Sequence, residues 1–322
     1  MRIFVDFEMS ERAAEVLREA TAGHDLLFAA NPSKSVLAAG AVDPGVGEAE
    51  VVFGQPDPAA LMASARLRWV QLSSAGITRY DNGAFRGAMA QAGVVVTNSS
   101  DVYAEPCAVH VLGFLLAQVR VLPRALGNGC ANGSEEWMAL RADCGTLRGD
   151  RVLILGYGAI GRSLVELLAP FGAKVVAYRR RARGDEGVRV VETDEDLAAE
   201  LGRADHVVNI LPASAETDGF FDAERLGAMK LGAALYNIGR GTTVDQVALE
   251  AALRSGVLGA AWLDVTEPEP LGADHPLRRV GNCHITPHIA GGQGDETLAL
   301  VEHFAANLRR LEAGKGLADR VM

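Results

Sequence analysis

Cysteine is scarce: only Cys107, Cys130, Cys144 and Cys283 occur in 322 residues, at spacings that fit neither a zinc finger nor a small disulfide scaffold. A reduced, cytoplasmic compartment and no metal are therefore expected. Aromatic residues make up only 6%, and positive charge is in deficit, with 31 Lys and Arg against 41 Asp and Glu and a net charge of −10. No bulk positive field exists to gather nucleic acid or anionic lipid, although a local basic patch could still hold a small anion. Long apolar runs are missing as well. The longest, in AVHVLGFLLAQV, is interrupted by His110 and Gln118 and falls short of the about 20 residues that a bilayer crossing needs, so it reads as a buried helix and no membrane contact is expected. The start MRIFVDFEMSERAAEV has no basic region leading a long apolar stretch, which argues against a signal peptide.

What is present is alternation. With 49% hydrophobic and 22% charged residues the chain is an ordered globular one, long enough for about two cores. RIFVDF, DLLFAA, EVVFG, RWVQLSS and GVVVTN read as short strands, separated by helical stretches such as SERAAEVLREA. A longer helical pattern runs from Asp101 to Arg120, and a glycine-rich excursion containing Trp137 follows to Asp150. A second series then begins with RVLIL, KVVAY, HVVNIL, ALYNI, AAWLDV and HITP. The pattern predicts an α/β protein of two doubly wound parallel-sheet domains, Rossmann-like or flavodoxin-like, with a cleft between them. The last segment, ETLALVEHFAANLRRLEAG, places Leu298, Val301, Phe304, Ala305 and Leu308 on one side of a helix.

The strongest local signal is RVLILGYGAIGRSLVELL, an apolar strand followed by Gly156, Gly158 and Gly161 and then a helix. In a chain with 36 glycines the spacing alone is weak evidence; the strand before it and the helix after it supply the specificity. Gly156 permits the tight turn, Gly158 admits a pyrophosphate, and Gly161 lets helix and strand pack closely. The alternative is a glycine turn that caps a helix without a dinucleotide. At the next strand end, where a carboxylate would hold the adenosine ribose, KVVAYRRRARG presents Arg179, Arg180 and Arg181 instead. Guanidinium groups match a 2′-phosphate in charge and fork geometry, which favours NADP(H), with NAD(H) or an unliganded basic loop as alternatives.

Taken with LSSAGITRYD, VVVTNSS, NILPASAET, YNIGRGTTVD, AAWLDVTEPEPL and ITPHIAG, these blocks run in order through almost the whole chain. The chain resembles the D-isomer-specific 2-hydroxyacid dehydrogenases, including their glyoxylate/hydroxypyruvate reductases. The resemblance implies an active-site arginine at Arg240, an assisting glutamate at Glu269 and an acid/base histidine at His288. Together with the glycine turn and the arginines read above, it gives a cofactor set of Gly156, Tyr157, Gly158, Ala159, Ile160, Gly161, Arg179, Arg180, Leu211, Pro212, Thr217, Asn237, Ile238, Gly239, Asp264, His288 and Gly291. Asp264 resembles the family acid that contacts the nicotinamide amide, and is otherwise a helix or turn cap. Substrate is assigned to the backbone of Ser74, Ala75 and Gly76, with Arg240 and His288. The implied domains are 1–100 with 290–322 for substrate and 101–289 for the nicotinamide dinucleotide, with a crossing at Asn98 and Ser99 and hinges near 98–103 and 286–292. A homodimer through the cofactor domains is also implied. The chain departs from the family's AEH pattern by carrying Val109 before His110, which removes a local packing or salt-bridge feature.

Elementary chemistry gives each residue a separable task. A guanidinium clamps the carboxylate of a 2-oxo acid and polarises its carbonyl, and an imidazole gives or takes the alcohol proton. Each also has a plain structural reading. Arg240 could pair with Asp245, Glu267 competes with Glu269 as the histidine's partner, and His288 could serve only backbone carbonyls after Pro287. Trp137 covers the substrate or fills a contact between domains or chains. The expected function is an oxidoreductase that moves hydride between NADP(H) and a small 2-oxo or D-2-hydroxy acid, provisionally glyoxylate or hydroxypyruvate. The alternatives are an NAD-preferring dehydrogenase of another 2-hydroxy acid and a nucleotide-sensing, corepressor-like binding protein. A formate dehydrogenase fits less well, because Glu269 is acidic where that family has an amide.

Overall fold

The computed structural model describes residues 1–182, 184 and 187–322, which fall into two compact units. The first comprises Met1–Tyr103 and Gln293–Met322, and the second Ala104–Gly292. Arg183 of the basic segment lies outside the described residues.

In the first unit, β1 (Arg2–Phe7), β2 (Asp25–Ser33), β3 (Val51–Gly54), β4 (Trp69–Leu72) and β5 (Val95–Thr97) form a parallel sheet ordered β2-β1-β3-β4-β5. Strands β3 and β4 are buried throughout, which explains their unbroken apolar runs. The connecting helices are α1 (Glu11–Ala20), α2 (Gly45–Glu48), α3 (Pro58–Ala63) and α4 (Gly83–Ala92). Ser10, Asp57 and Asn82 accept from first-turn amides to start α1, α3 and α4, and Gly93 at φ +67° ends α4. The C-terminal helix Glu296–Glu312 returns to this unit and packs on α1. Its Phe304 ring stacks on Phe53 at 4.5 Å and on Trp69 at 5.0 Å. Leu300 is fully buried on this helix, whereas Leu298, expected on the apolar side, is only half-buried.

The second unit carries β6 (Arg151–Leu155), β7 (Lys174–Tyr178), β8 (Arg189–Val191), β9 (His206–Asn209), β10 (Ala233–Asn237), β11 (Leu258–Leu263) and β12 (Cys283–Ile285). All pair in parallel, in the order β12-β11-β10-β9-β6-β7-β8. The order reverses between β6 and β9 here, and between β1 and β3 in the first unit; ligands of doubly wound sheets bind beyond the strand ends at such points. Helices α5 (Ser100–Val119), α6 (Leu122–Ala125), α7 (Glu135–Asp143), α8 (Ala159–Leu168), α9 (Asp194–Leu201), α10 (Ala223–Ala228) and α11 (Gln246–Arg254) complete the fold. The first four residues of α5 are counted with the first unit.

Two expectations change. Strand β8 follows the basic segment as a three-residue edge strand, too short to register as a strand pattern in the sequence. Helix α5 is 20 residues long and by length and composition reaches what a bilayer crossing needs, because it starts well before the apolar run that suggested it. Only a third of its most apolar stretch is buried, on the side carrying Tyr103, Cys107, Val111 and Leu115.

The edge strand is tied down by charge. Glu200 on α9 is fully buried and meets Arg151 at 3.0 Å, Arg189 of β8 at 2.8 Å and Arg203 at 3.6 Å. The three arginines remain partly in water, so the carboxylate carries the burial cost and the guanidiniums offset it. Glu200→Gln is expected to lower the unfolding free energy by about 2 kcal/mol, under the 3–5 of a fully enclosed pair because the arginines can rehydrate. Urea denaturation measures this, and a loss below about 0.5 kcal/mol would show that Glu200 is not the anchor of this edge.

Candidate active site

At the switch point of the second unit, β6 runs into Gly156 at φ +94°, a conformation that L side chains rarely adopt. A Cβ there would stand 2.9 Å from the Ile210 carbonyl beyond β9. At Gly161 a Cβ would stand 2.9 Å from the Gly156 carbonyl, so helix and strand meet through that glycine. Gly158 faces open space and begins α8 without a side-chain cap, while Ala159 and Ile160 supply the first turn. The amides of that turn and the positive end of the helix dipole are the donors a phosphate needs. Tyr157 is buried beside Gly161. These residues fit a dinucleotide pyrophosphate.

Arg179 and Arg180 follow the end of β7, the former half-buried with its N–H on the Val191 carbonyl at 3.2 Å, the latter exposed. Glu192 accepts from the Ala182 N–H at 2.6 Å and shapes the same loop. Beyond β9, Leu211 is buried, and Thr217 closes the next turn by donating to the Pro212 carbonyl at 2.5 Å.

Beyond β10 lies Arg240. Glycines flank it because neighbouring backbone passes close on both sides: a Cβ on Gly239 would lie 2.6 Å from the Leu211 carbonyl, and one on Gly241 2.0 Å from that of Thr266. Asn237 accepts from the Gly239 N–H at 3.1 Å and donates to the Arg240 carbonyl at 3.0 Å, while Asn209 bridges Asn237 to Thr243. Ile238 is buried between them. Burial pulls the Arg240 guanidinium below its ordinary pKa, and the charges of Glu269 and Cys107 oppose that shift. Asp245, the alternative partner, instead caps α11 by accepting from Val247 and Ala248.

Glu269 and His288 are in contact: the carboxylate Oε1 and the imidazole Nδ1 form a hydrogen bond. Glu267 contributes backbone only, its N–H and carbonyl held by Gln246. His288 sits at φ +53°, unusual for a side chain of this size, and its N–H donates to the Asp264 and Thr286 carbonyls at 2.9 and 3.1 Å. The Asp264 carboxylate, 2% exposed, accepts from Thr286 Oγ1 at 2.5 Å and from the Ile289 and Ala290 N–H groups at 2.9 and 2.8 Å. It therefore acts as the cap of the histidine loop. Gly291 follows, half-buried. Asp264, Thr266, Glu269, Arg278, Thr286 and His288 border a cavity of about 480 Å³.

Two groups on α5 escaped the sequence reading. Cys107 is buried near Arg240 and Asp264, and burial pushes its thiol up to about 12. His110 lies 3.4 Å from Thr286 Oγ1 and 3.7 Å from the Asp264 carboxylate, and burial lowers its pKa although Asp264 opposes this. A helical periodicity of polar residues in an otherwise apolar helix was their only sequence signal. Trp137 lies half-buried under the Arg141 guanidinium, 4.7 Å from the ring centre. Among the described residues no cluster of three or more His, Cys, Asp or Glu is placed to hold a metal ion.

In the first unit the carbonyls of the Ser74–Ala75–Gly76 turn are taken up. Ser99 N–H donates to that of Ser74 at 3.0 Å, Asn98 Nδ2 to that of Ala75 at 2.6 Å, and Ser74 Oγ to that of Gly76 at 2.6 Å.

A family model described as D-isomer specific 2-hydroxyacid dehydrogenase, NAD binding domain, matches residues 112–290. The chain belongs to that family. It is 32% identical to the D-3-phosphoglycerate dehydrogenase of Mycobacterium leprae over 82% of this chain, and spans about half of that relative's length, 49%. It is 34% identical to the glyoxylate reductase of Aeropyrum pernix, over 69% of this chain and 68% of the relative. The crystal structure of a D-isomer specific 2-hydroxyacid dehydrogenase from Xanthobacter autotrophicus, in complex with NADPH and MES, superposes with a TM-score of 0.81 and 29% identity, covering 100% of this chain and 97% of that one. The two parallel-sheet units of this 2-hydroxyacid dehydrogenase thus have the family's fold.

Proposed function

We propose that this 2-hydroxyacid dehydrogenase reduces small 2-oxo acids with NADP(H), glyoxylate or hydroxypyruvate foremost. The observation that carries the reading is the pairing of His288 with Glu269 on a loop held at positive φ, with the Arg240 guanidinium close enough to feel the glutamate's charge. The nicotinamide cofactor, when bound, supplies the hydride. Arg240 holds the substrate carboxylate and polarises the neighbouring carbonyl. With Nδ1 facing Glu269, His288 keeps Nε2 for the substrate and delivers a proton from it to the carbonyl oxygen. The Ser74–Gly76 turn, its carbonyls occupied, offers its amides to the carboxylate. Residues 104–292 are the nicotinamide-binding part in this reading, and Asp264, besides capping the loop, is assigned to the nicotinamide amide.

The test separates the roles. Arg240→Ala is expected to raise KM for the oxo acid steeply while leaving direct NADPH titration within about threefold of wild type, because the glycine turn after β6 is untouched. His288→Ala is expected to keep nucleotide binding but lose about 100-fold or more in single-turnover reduction at saturating oxo acid. A wild-type rate in His288→Ala would remove the histidine from the chemistry, and a broad panel of 2-oxo acids without turnover by the native protein would favour a nucleotide-sensing binding protein.

The preference for NADP(H) is supported by Arg179 and Arg180 at the strand end, where an acidic ribose partner is missing, and by the NADPH in the Xanthobacter structure. Arg179→Ala is expected to cut kcat/KM for NADPH about tenfold and leave that for NADH nearly unchanged, since a charged pair to a phosphate contributes about 1.5 kcal/mol or more. Equal wild-type efficiencies with both cofactors would refute the preference for NADP(H), and a higher efficiency with NADH would transfer it to NAD(H).

We infer further that two copies associate through their cofactor-binding units. Val109, Leu122, Leu126 and Met138, from α5 to α7, are exposed apolar side chains of one chain segment, which supports an interface there. Sedimentation equilibrium is expected to give twice the chain mass for the native protein and a lower mass for Leu126→Glu; a native monomer would refute the pairing.

A further inference from the structure

The first unit has its own switch point, between β1 and β3, and it encloses an ionisable group that the reduction above does not use. Asp6, near the end of β1, is 3% exposed. Both carboxylate oxygens accept from the Gln55 N–H, each at 3.0 Å. Two glycines make room for them. A Cβ on Gly54, at φ +141°, would lie 1.7 Å from Asp6 Oδ1, and one on Gly40 would lie 2.5 Å from Oδ2. Gly40 also donates its N–H to the Gln55 carbonyl at 2.9 Å. The cradle is thus shaped around a carboxylate and fixes Gln55 from both sides.

Gln55 passes that constraint on. Its Nε2 donates to Ser74 Oγ at 2.8 Å and to Ser73 Oγ at 3.2 Å, and Ser74 Oγ donates to the Gly76 carbonyl. A continuous chain of hydrogen bonds therefore runs from Asp6 to the turn. We propose that Asp6 is a positioning residue for the 2-oxo acid: its carboxylate sets Gln55, and Gln55 sets the Ser74–Gly76 turn in the shape that receives the substrate carboxylate. This rests on the reading of that turn given above.

A consequence in pH follows. Burial pushes Asp6 up to about 6, against the Gln55 hydrogen bond and the positive charge of Arg79. Arg79 and the Tyr80 phenol are the charged and titratable groups that face it. Because its folded pKa lies above the unfolded value, ionising Asp6 costs stability as pH rises through about 4 to 6, and that cost persists at neutral pH. A group that only supported the fold would be better neutral. The charge earns its place through the stronger bond it makes to Gln55.

Asp6→Asn, Gln55→Leu and the double variant test this, with saturating NADPH, from pH 5 to 8. Asp6→Asn is expected to raise KM for the oxo acid about three- to tenfold at pH 7.5, the difference between a charge-assisted and a neutral hydrogen bond, with kcat and NADPH binding changed less than about twofold. Wild-type KM should climb toward that of Asp6→Asn below about pH 6. The double variant should be no worse than Gln55→Leu alone, as members of one relay are not additive. Thermal unfolding should show Asp6→Asn gaining stability relative to wild type between pH 4 and 7.5, opposite in sign to its effect on KM. Hydrogen exchange of the free protein provides a readout without substrate: amides of Ser74–Gly76 should exchange faster in Asp6→Asn. A wild-type KM profile, additive effects and unchanged exchange would overturn the proposal. Should the native protein reduce no 2-oxo acid, the functional reading falls, and the exchange result alone decides whether Asp6 holds the turn.

Discussion

The Asp264 carboxylate fixes more of the candidate site than any other group. It is the residue next after β11, so its backbone is referenced to the sheet, and its N–H bonds to the Asn237 carbonyl at the end of β10 at 2.9 Å. Its two oxygens then take three donors from the loop beyond β12. Buried N–H groups left without acceptors would each cost about 1–3 kcal/mol, so the loop has one low-energy course. Only a loop over-determined in this way can keep His288 at φ +53°. The imidazole is thereby located by the sheet edge and not by the flexibility of the loop that carries it.

Arg240 is placed by the same logic with different means. Gly239 and Gly241 bring its backbone within contact of the segments beyond β9 and β11, where any Cβ would collide. The guanidinium is carried into a half-buried position, and its lowered pKa records that loss of water. Such a cation is poorly solvated, which makes an anionic partner worth more to it than to a surface arginine. Glu269, shared electrostatically by Arg240 and hydrogen-bonded to His288, ties the two functional groups into one charge arrangement.

Most of this was legible where the sequence forces a unique solution. The spacing of Gly156, Gly158 and Gly161 after an apolar strand describes a turn, an open face and a close packing, and each glycine has a different steric environment that matches. The alternation of strand and helix patterns likewise leads to two parallel sheets. What stayed hidden depends on three-dimensional company. The resemblance names Glu269 as the partner of His288, with Glu267 competing, and Asp264 reads as a nicotinamide contact or a turn cap, but nothing local says that the loop it caps lies more than 20 residues later, or that Cys107 and His110 lie near Asp264. The three residues of β8 pair with β7 and are tied by the ion pair of Arg189 with Glu200, both non-local contacts. Leu300, not Leu298, is buried on the helix whose Phe304 stacks on Phe53 and Trp69, a choice of face that the apolar spacing alone does not make.

The two switch points show how similar sheet edges can serve different ends. In each, a glycine at positive φ lets the chain turn sharply off a strand, Gly54 at the end of β3 and Gly156 after β6. In each, the space that a side chain would fill is claimed by something else. Beyond β3 the claimant is the chain's own anion, Asp6, which accepts the Gln55 N–H. Beyond β6, among the described residues, no side chain caps the first turn of α8. The Gln55 N–H is thus occupied within the fold, and the Gln55 side chain links that point to Ser74. The two edges therefore differ in one respect that the sequence sets: the chain supplies a carboxylate to the turn beyond β3 and, among the described residues, no side-chain cap to the helix beyond β6.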